Sequence, residues 1–379
     1  IKRPPRTWDE LYYLCQKATR AHVVVKGARY RMGQRGIHLN TTSQFWESLV
    51  WSAGGRLVEA AKQSSETDVL HGSATDESRL VVDDRAEDVL SRHANWRAAF
   101  ASEDGLTATE FYWKLTWAPW LFDPVPDPRT NDHEPINLSA LDVQRGSVVL
   151  HDGREVRFES TDIQWGVSRG TAAGDDVDAR EALANGEVVF AFGRPTYLFR
   201  QVFLAAGIGP QSLGFCPVPA SGVGESGGRP VLVASRRFWG LNNELADQPQ
   251  KLEVAFQLLS WLVHELPRNE VRQSVEEGHV AIVDPKMLVS AGYDEYVDEV
   301  PPHLVQAYED IELLMRSAPF APAWEAIRGE LVGGVLAQLI ASKDYDYRAG
   351  LVAAQERANR TVIPSTGAVQ RPDARRTSR

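Results

Sequence analysis

Apolar side chains recur at the spacing of one helical face at the start of the chain, where Leu11, Leu14, Cys15 and Ala18 share a stripe. Thr7 stands just before Trp8, and Glu10 follows Thr7 by three residues, the spacing of a capping box. The pattern predicts a surface helix over 8–20 with its apolar stripe inward. "HVVVKG" (22–27) reads as a strand or a helix tail. "SQFWESLVWSAGG" (43–55) repeats the helical pattern with Phe45, Leu49, Val50 and Ala53, and Gly54-Gly55 end it. "LTATEFYWKLTWAPW" (106–120) predicts a third, very aromatic helix that stops near Pro119.

Residues 123–176 have another texture. Pro, Asp, Asn and Gly are frequent and the apolar runs are short, so the stretch reads as a decoration on the main fold. Within it "GSVVLHDGREVRFES" (146–160) predicts a small hairpin turning at Asp152-Gly153. Beyond it, 177–201 predicts a short helix, a stop at Asn185-Gly186 and a buried strand over Val188 to Phe192. "LGFCPVPA" (213–220) predicts a short strand, "SGVGESGG" (221–228) a flexible loop, and 229–243 a strand pair or a strand plus turn. "QPQKLEVAFQLLSWLVHEL" (248–266) is a strongly amphipathic helix, and 302–318, 323–341 and 347–360 make a helical C-terminal region. Residues 361–379 predict a disordered tail. Strands interleaved with helices place the fold in the α/β class.

Composition narrows the function classes. With 43% hydrophobic and 24% charged residues, the 379-residue chain has room for one large or two medium domains. A formal net charge of −10 argues against a nucleic-acid partner, which needs a basic face, and against adhesion to anionic lipid. No apolar run reaches the length of a membrane span. Cys15 and Cys216 are too few for a disulfide framework and read as buried small apolar residues.

Catalytic signatures are missing from the sequence: there is no P-loop, no GxSxG and no HExxH. The nine histidines lack metal-ligand spacing. The acidic run Asp175, Asp176 and Asp178 lacks the alternation and closing Glu of a calcium loop, and reads as a solvated cap on the helix that follows. No metal and no cofactor is expected. Asn40-Thr41-Thr42, Asn137-Leu138-Ser139 and Asn359-Arg360-Thr361 match glycosylation sequons, short patterns that arise often by chance.

The order of the pieces carries a resemblance. "PPRTWDEL" (4–11), "FWESLVWSAGG" (45–55), "LANGEVVFAFGRPTYLF" (183–199), the long segment 246–285 and "APFAPAWEAIRGEL" (318–331) occur in the order of the corresponding segments of ABC-importer extracellular solute-binding proteins. The chain resembles the sugar-binding, maltose-binding-protein-like branch over most of residues 1–120 and 177–360. The resemblance implies a periplasmic-binding-protein-like type II fold with two lobes and an incomplete first lobe. Residues 1–216 and 302–360 would form the second lobe, with 123–176 as an insertion, and 217–300 a remnant of the first. In that family a segment precedes the Trp-Asp-Glu helix, so the chain is expected to be a fragment of a longer precursor.

The resemblance also implies a function. The chain would capture a sugar or polyol outside the cytoplasm, in the periplasm or at the cell surface, with or without a lipid anchor. It would work as a monomer and pass the solute to the transmembrane subunits of an ABC permease, without catalysis. Closure would turn on hinges near 216–219 and 298–303.

A sugar presents apolar C–H faces that suit aromatic rings, and hydroxyls that need hydrogen bonds. The candidate ligand-binding residues follow. Trp324 opens a helix after Pro319 and Pro322, and either stacks on a ligand or packs under the proline turn as core. Tyr197 follows a buried strand, with Arg194 beside it. Thr42 and Gln44 begin the Phe45 helix, where capping is the plainer role for Thr42. Gln44 stands where the resemblance expects an aromatic, a departure from a maltodextrin site. Of Trp46 and Trp51 at most one can face a ligand. Trp239 either contributes from the opposite wall or packs as core. Two other readings stay open: a carbohydrate hydrolase or lyase using the same aromatics, and a scaffold lobe that binds nothing.

Overall fold

The computed structural model describes residues 3–19, 23–25, 28–30, 34–39, 43–60, 96–170, 176–192, 209–212, 214–222, 228–234, 247–317 and 324–362, with single residues 207, 241 and 245. Helix α1, Trp8–Ala18, starts at the expected cap, where Thr7 Oγ1 accepts from the Glu10 N–H at 3.2 Å. Glu10 does not close the box on Thr7. Its carboxylate accepts instead from the Arg6 N–H at 2.8 Å and from the Arg3 guanidinium at 2.8 and 2.9 Å.

The stretch 22–27 contributes strand β1, Val23–Val25, which pairs antiparallel with β2, Ala28–Tyr30. Strand β3, Arg35–Leu39, then runs under α1. Gly36 is required there, because a Cβ would collide with the backbone and side chain of Cys15. Helix α2 spans Ser43–Ser52 and stops at Gly54, whose φ of 96° suits glycine. Strands β4, Val58–Ala60, and β5, Trp96–Ala98, pair antiparallel.

Helix α3, Glu103–Trp117, begins three residues before the apolar pattern does. Ser102 supplies the cap, and Glu103 and Asp104 sit in the favourable first turn. Its end is followed directly by strand β6, Pro119–Phe122.

The stretch read as a decoration has a small structure of its own. Strand β7, Pro135–Asn137, helix α4, Ala140–Arg145, strands β8, Ser147–Val149, and β9, Glu155–Arg157, and strand β10, Gln164–Trp165, follow in order. The sheet order is β10-β6-β7, all antiparallel, and β8 and β9 form the expected hairpin, with Gly153 at φ 82°. Leu121, Leu138, Val148, Val156 and Ile163 make a separate buried cluster.

Strand β11, Ser168–Gly170, helix α5, Asp176–Ala184, and strand β12, Val188–Ala191, return to the main body. Gly186, at φ 69°, ends α5 where the Asn-Gly pair predicts. The central sheet is β11-β3-β12, parallel throughout. Among the described residues 214–220, Val218 and Ala220 alone make strand-like bridges, to Val231 and Thr7. Strand β13 is Leu232–Ala234, and residues 235–240, 242 and 243 of the stretch 229–243 lie outside the described residues.

Helix α6, Pro249–Ser260, passes through a π-helical turn, Trp261–Glu265, into α7, Leu266–Glu276. Helix α8, Pro285–Ala291, and α9, Pro302–Leu314, follow, and strand β14, Met315–Ser317, pairs parallel with β13. Helix α10, Trp324–Leu331, a second π-helical turn, Val332–Leu336, helix α11, Ala337–Ala341, and helix α12, Tyr347–Val362, complete the order. Helix α12 takes in residues 361 and 362, which the sequence assigned to the tail; 363–379 lie outside the described residues.

The main core gathers α1, α2, α3, α10 and α12 around the central sheet. It also takes in Val218 and Val231, which the expected lobe boundary placed elsewhere, because Val218 bridges to Val231 and Ala220 to Thr7. A third cluster, with Val271, Leu288, Val300, Leu304 and Tyr308, holds α7, α8 and α9 together. The protein is mixed α/β with small sheets, and no described helix is long and apolar enough to cross a membrane.

Candidate functional site

The three parallel strands end at one edge. Gly170 pairs with Leu39 and Ala191 with His38, so the C-terminal ends of β11, β3 and β12 lie side by side. In α/β sheets this is the edge where ligands bind, because the connections leaving the strands open a crevice there. One contact brings a further element to it. Phe192, one residue past β12, packs its ring 5.5 Å from that of Phe45 at an interplanar angle of 51°, which ties the exit of β12 to the first turn of α2. Glu47, only 1% exposed, meets Arg328 Nε at 3.3 Å. Glu47 is the fifth of ten residues of α2 and Arg328 the fifth of eight of α10, so the pair joins the middles of the two helices. A buried carboxylate needs a countercharge, and this one is supplied across the helix pair.

Four of the candidate residues, Thr42, Arg194, Tyr197 and Trp239, lie outside the described residues. Gln44 is half-buried in the first turn of α2, beside the Phe45–Phe192 contact. Trp46 is core, contrary to the expectation. It is 0% exposed, its Nε1 donates to Thr109 Oγ1 at 2.9 Å, and Phe100 meets it edge to face at 6.2 Å. Its indole is consumed by the contact between α2 and α3 and cannot reach a ligand. Trp51 is buried as well. Trp324, at 6% exposure, is part of the main core with Ile327 and Leu331, which is the packing alternative for this residue.

The sequence reading passed over Glu47 and Arg328. A carboxylate inside the apolar run "QFWESLVW" was the available sign, since a charge on a buried helical face requires a partner elsewhere.

Other chemistry is weakly supported here. Burial pushes the Cys15 thiol far above its ordinary value and that of Cys216 up to about 11, so neither carries a ready thiolate. Among the described residues no group of three or more His, Cys, Asp or Glu side chains is placed to hold a metal ion. Asp176 and Asp178 fall in the first turn of α5, and Asp175 lies outside the described residues. Two sequons have structural work. Asn137 Oδ1 accepts from Gln16 Nε2 at 2.7 Å, and Ser139 caps α4. Asn359 accepts from the Ala98 N–H at 2.7 Å and donates to the Ala98 carbonyl at 3.2 Å. No protein-family model matches the chain, and no curated protein matches it.

Proposed function

We propose that the chain is a solute-binding protein of ABC-type import, acting outside the cytoplasm, with a type II periplasmic-binding-protein-like fold. Its ligand is a neutral carbohydrate or polyol held between two lobes, and its macromolecular partner is a membrane permease. The observation that carries this reading is the meeting, at one sheet edge, of three strand ends with the first turn of α2. In the sequence, Thr42 follows the last residue of β3 by three positions, and Arg194 and Tyr197 follow that of β12 by three and six. Function then needs no reaction: closure follows from a higher affinity of the ligand for the closed arrangement.

Thermal denaturation in the presence of neutral mono- and oligosaccharides tests the reading. Binding without turnover raises the melting temperature and releases no new reducing ends. Tyr197→Ala and Gln44→Ala each reduce the rise while keeping the unliganded melting temperature, and a rise that neither variant changes would overturn the strand-end site. New reducing ends would instead make the protein a carbohydrate-active enzyme, and no rise with any sugar would leave a scaffold.

A further inference from the structure

A groove of about 1030 Å³ lies away from the strand-end site, between α1, the floor made by β6 and β12, and the β9–β10 side of the insertion. Gln34, just before β3, lines it, so the groove opens near the end of the central sheet where β3 begins. Its size matches a small-molecule site. Three rings line it: Tyr13 from α1, 41% exposed, and the half-buried Phe122 and Phe158.

Most of the charged groups of the groove already have an oppositely charged partner. Arg154 grips both oxygens of Asp123, and this pair holds the Asp123 carboxyl below its ordinary range. Lys17 is taken by Glu134 at 3.1 Å and Asp132 at 3.7 Å. Arg157 lies 3.5 Å from Glu155, and Asp162 accepts the Glu159 N–H at 2.9 Å. A charged ligand would have to compete with these partners.

Neutral polar groups, by contrast, are on offer. Gln164 is half-buried and its amide has no hydrogen-bond partner among the described residues. Gln34 donates from Nε2 to the Gly186 carbonyl at 3.0 Å, which leaves its Oε1 as an acceptor. His133 Nδ1 lies 2.6 Å from the Asp123 carbonyl and must carry the proton to make that bond, so in the neutral ring Nε2 accepts. Rings for C–H faces, with amide and imidazole groups for hydroxyls, are the two halves of sugar recognition.

We propose that this groove is a second carbohydrate site, taking a neutral oligosaccharide laid between Tyr13 and the Phe122–Phe158 side, with Gln164, Gln34 and His133 bonding its hydroxyls. The site is independent of the strand-end reading and could stand if that one fell.

Calorimetric titration of the full chain with maltohexaose, cellohexaose and xylohexaose tests it, run on the wild type, on Tyr197→Ala and on Tyr13→Ala and Gln164→Ala. At least one of the three sugars binds the wild type, and that binding survives Tyr197→Ala. Tyr13→Ala weakens it about tenfold or more, the effect of one stacked ring. Gln164→Ala weakens it in the same direction. Circular dichroism confirms that both groove variants are folded, which is expected because both positions are at least partly exposed. An oligogalacturonate, being anionic, binds more weakly than its neutral counterparts. Absence of binding by all three neutral sugars, or equal affinity in the wild type and both groove variants, overturns the proposal. Tighter binding of a proline-rich peptide than of any of the sugars also overturns it and makes the groove a peptide site.

Discussion

Helices α2 and α6 have similar apolar patterns and opposite surroundings. In α2 the apolar stripe is closed over by α3 and the main core, and even the lone carboxylate Glu47 is buried against a partner. In α6 no residue is buried: Val254 is 64% exposed, Phe256 and Leu258 are exposed with it, and so are Trp261 and Val263 of the π-helical turn that follows. An apolar stripe states what a helix can bury. Whether it does so depends on which elements present a facing surface, and those come from elsewhere in the chain.

The comparison can be broken most sharply at Trp46. Trp46→Ala removes a fully buried indole and its bond to Thr109, whose hydroxyl keeps the Gly105 carbonyl, and should cost about 3 to 5 kcal/mol in urea denaturation. A loss below about 1 kcal/mol would mean that the α2–α3 contact is not the closed core described. The ion pair comes next. Glu47→Ala removes the buried carboxylate that Arg328 meets, and should cost about 2 kcal/mol, reduced from the fully buried case by the partial exposure of the arginine. The joint change Glu47→Leu with Arg328→Met should recover most of that loss. A double variant as weak as the sum of the two singles would show that the helices are not coupled through this pair.

The insertion supplies an intermediate case with a pH signature. Arg154 depresses the Asp123 carboxyl, so the pair stabilises the fold above the ordinary carboxylate value near about 3.9 and loses that contribution as pH falls through the lower folded value. The stability gap between wild type and Asp123→Asn should be about 1 to 2 kcal/mol from neutral pH down to about 5, and should narrow below about 4. A gap that stays constant with pH would remove the charge from the explanation.

The smallest effect is expected on α6, where Val254→Ser and Leu258→Gln should each change stability by less than about 0.5 kcal/mol. A loss of about 2 kcal/mol or more would show that this face is covered in solution and would erase the contrast with α2.

Local signals were legible where the chemistry is local. Thr7 as a cap, the Asp152-Gly153 turn and the Asn185-Gly186 stop each depend on a few neighbouring residues, and each forms as read. Long-range facts were not legible. Nothing in a helical period tells a buried Trp46 from one facing a ligand, since both sit on the same kind of stripe. The Glu47–Arg328 pair joins residues 281 positions apart, and the sequence offered only an oddly placed carboxylate. The groove beside α1 was hidden for the same reason: Tyr13 and Gln164 line one groove only because the insertion packs against the first helix.

The clasp of Asn359 on Ala98, with Gln355 accepting from the Ala101 N–H at 2.6 Å nearby, has a consequence for biosynthesis. Leu351, Ala354 and Ala358 from the same helix fill the principal core. During translation, that core therefore waits for residues near 360 to leave the ribosome. Until then the nascent polypeptide exposes apolar surface that a chaperone could hold.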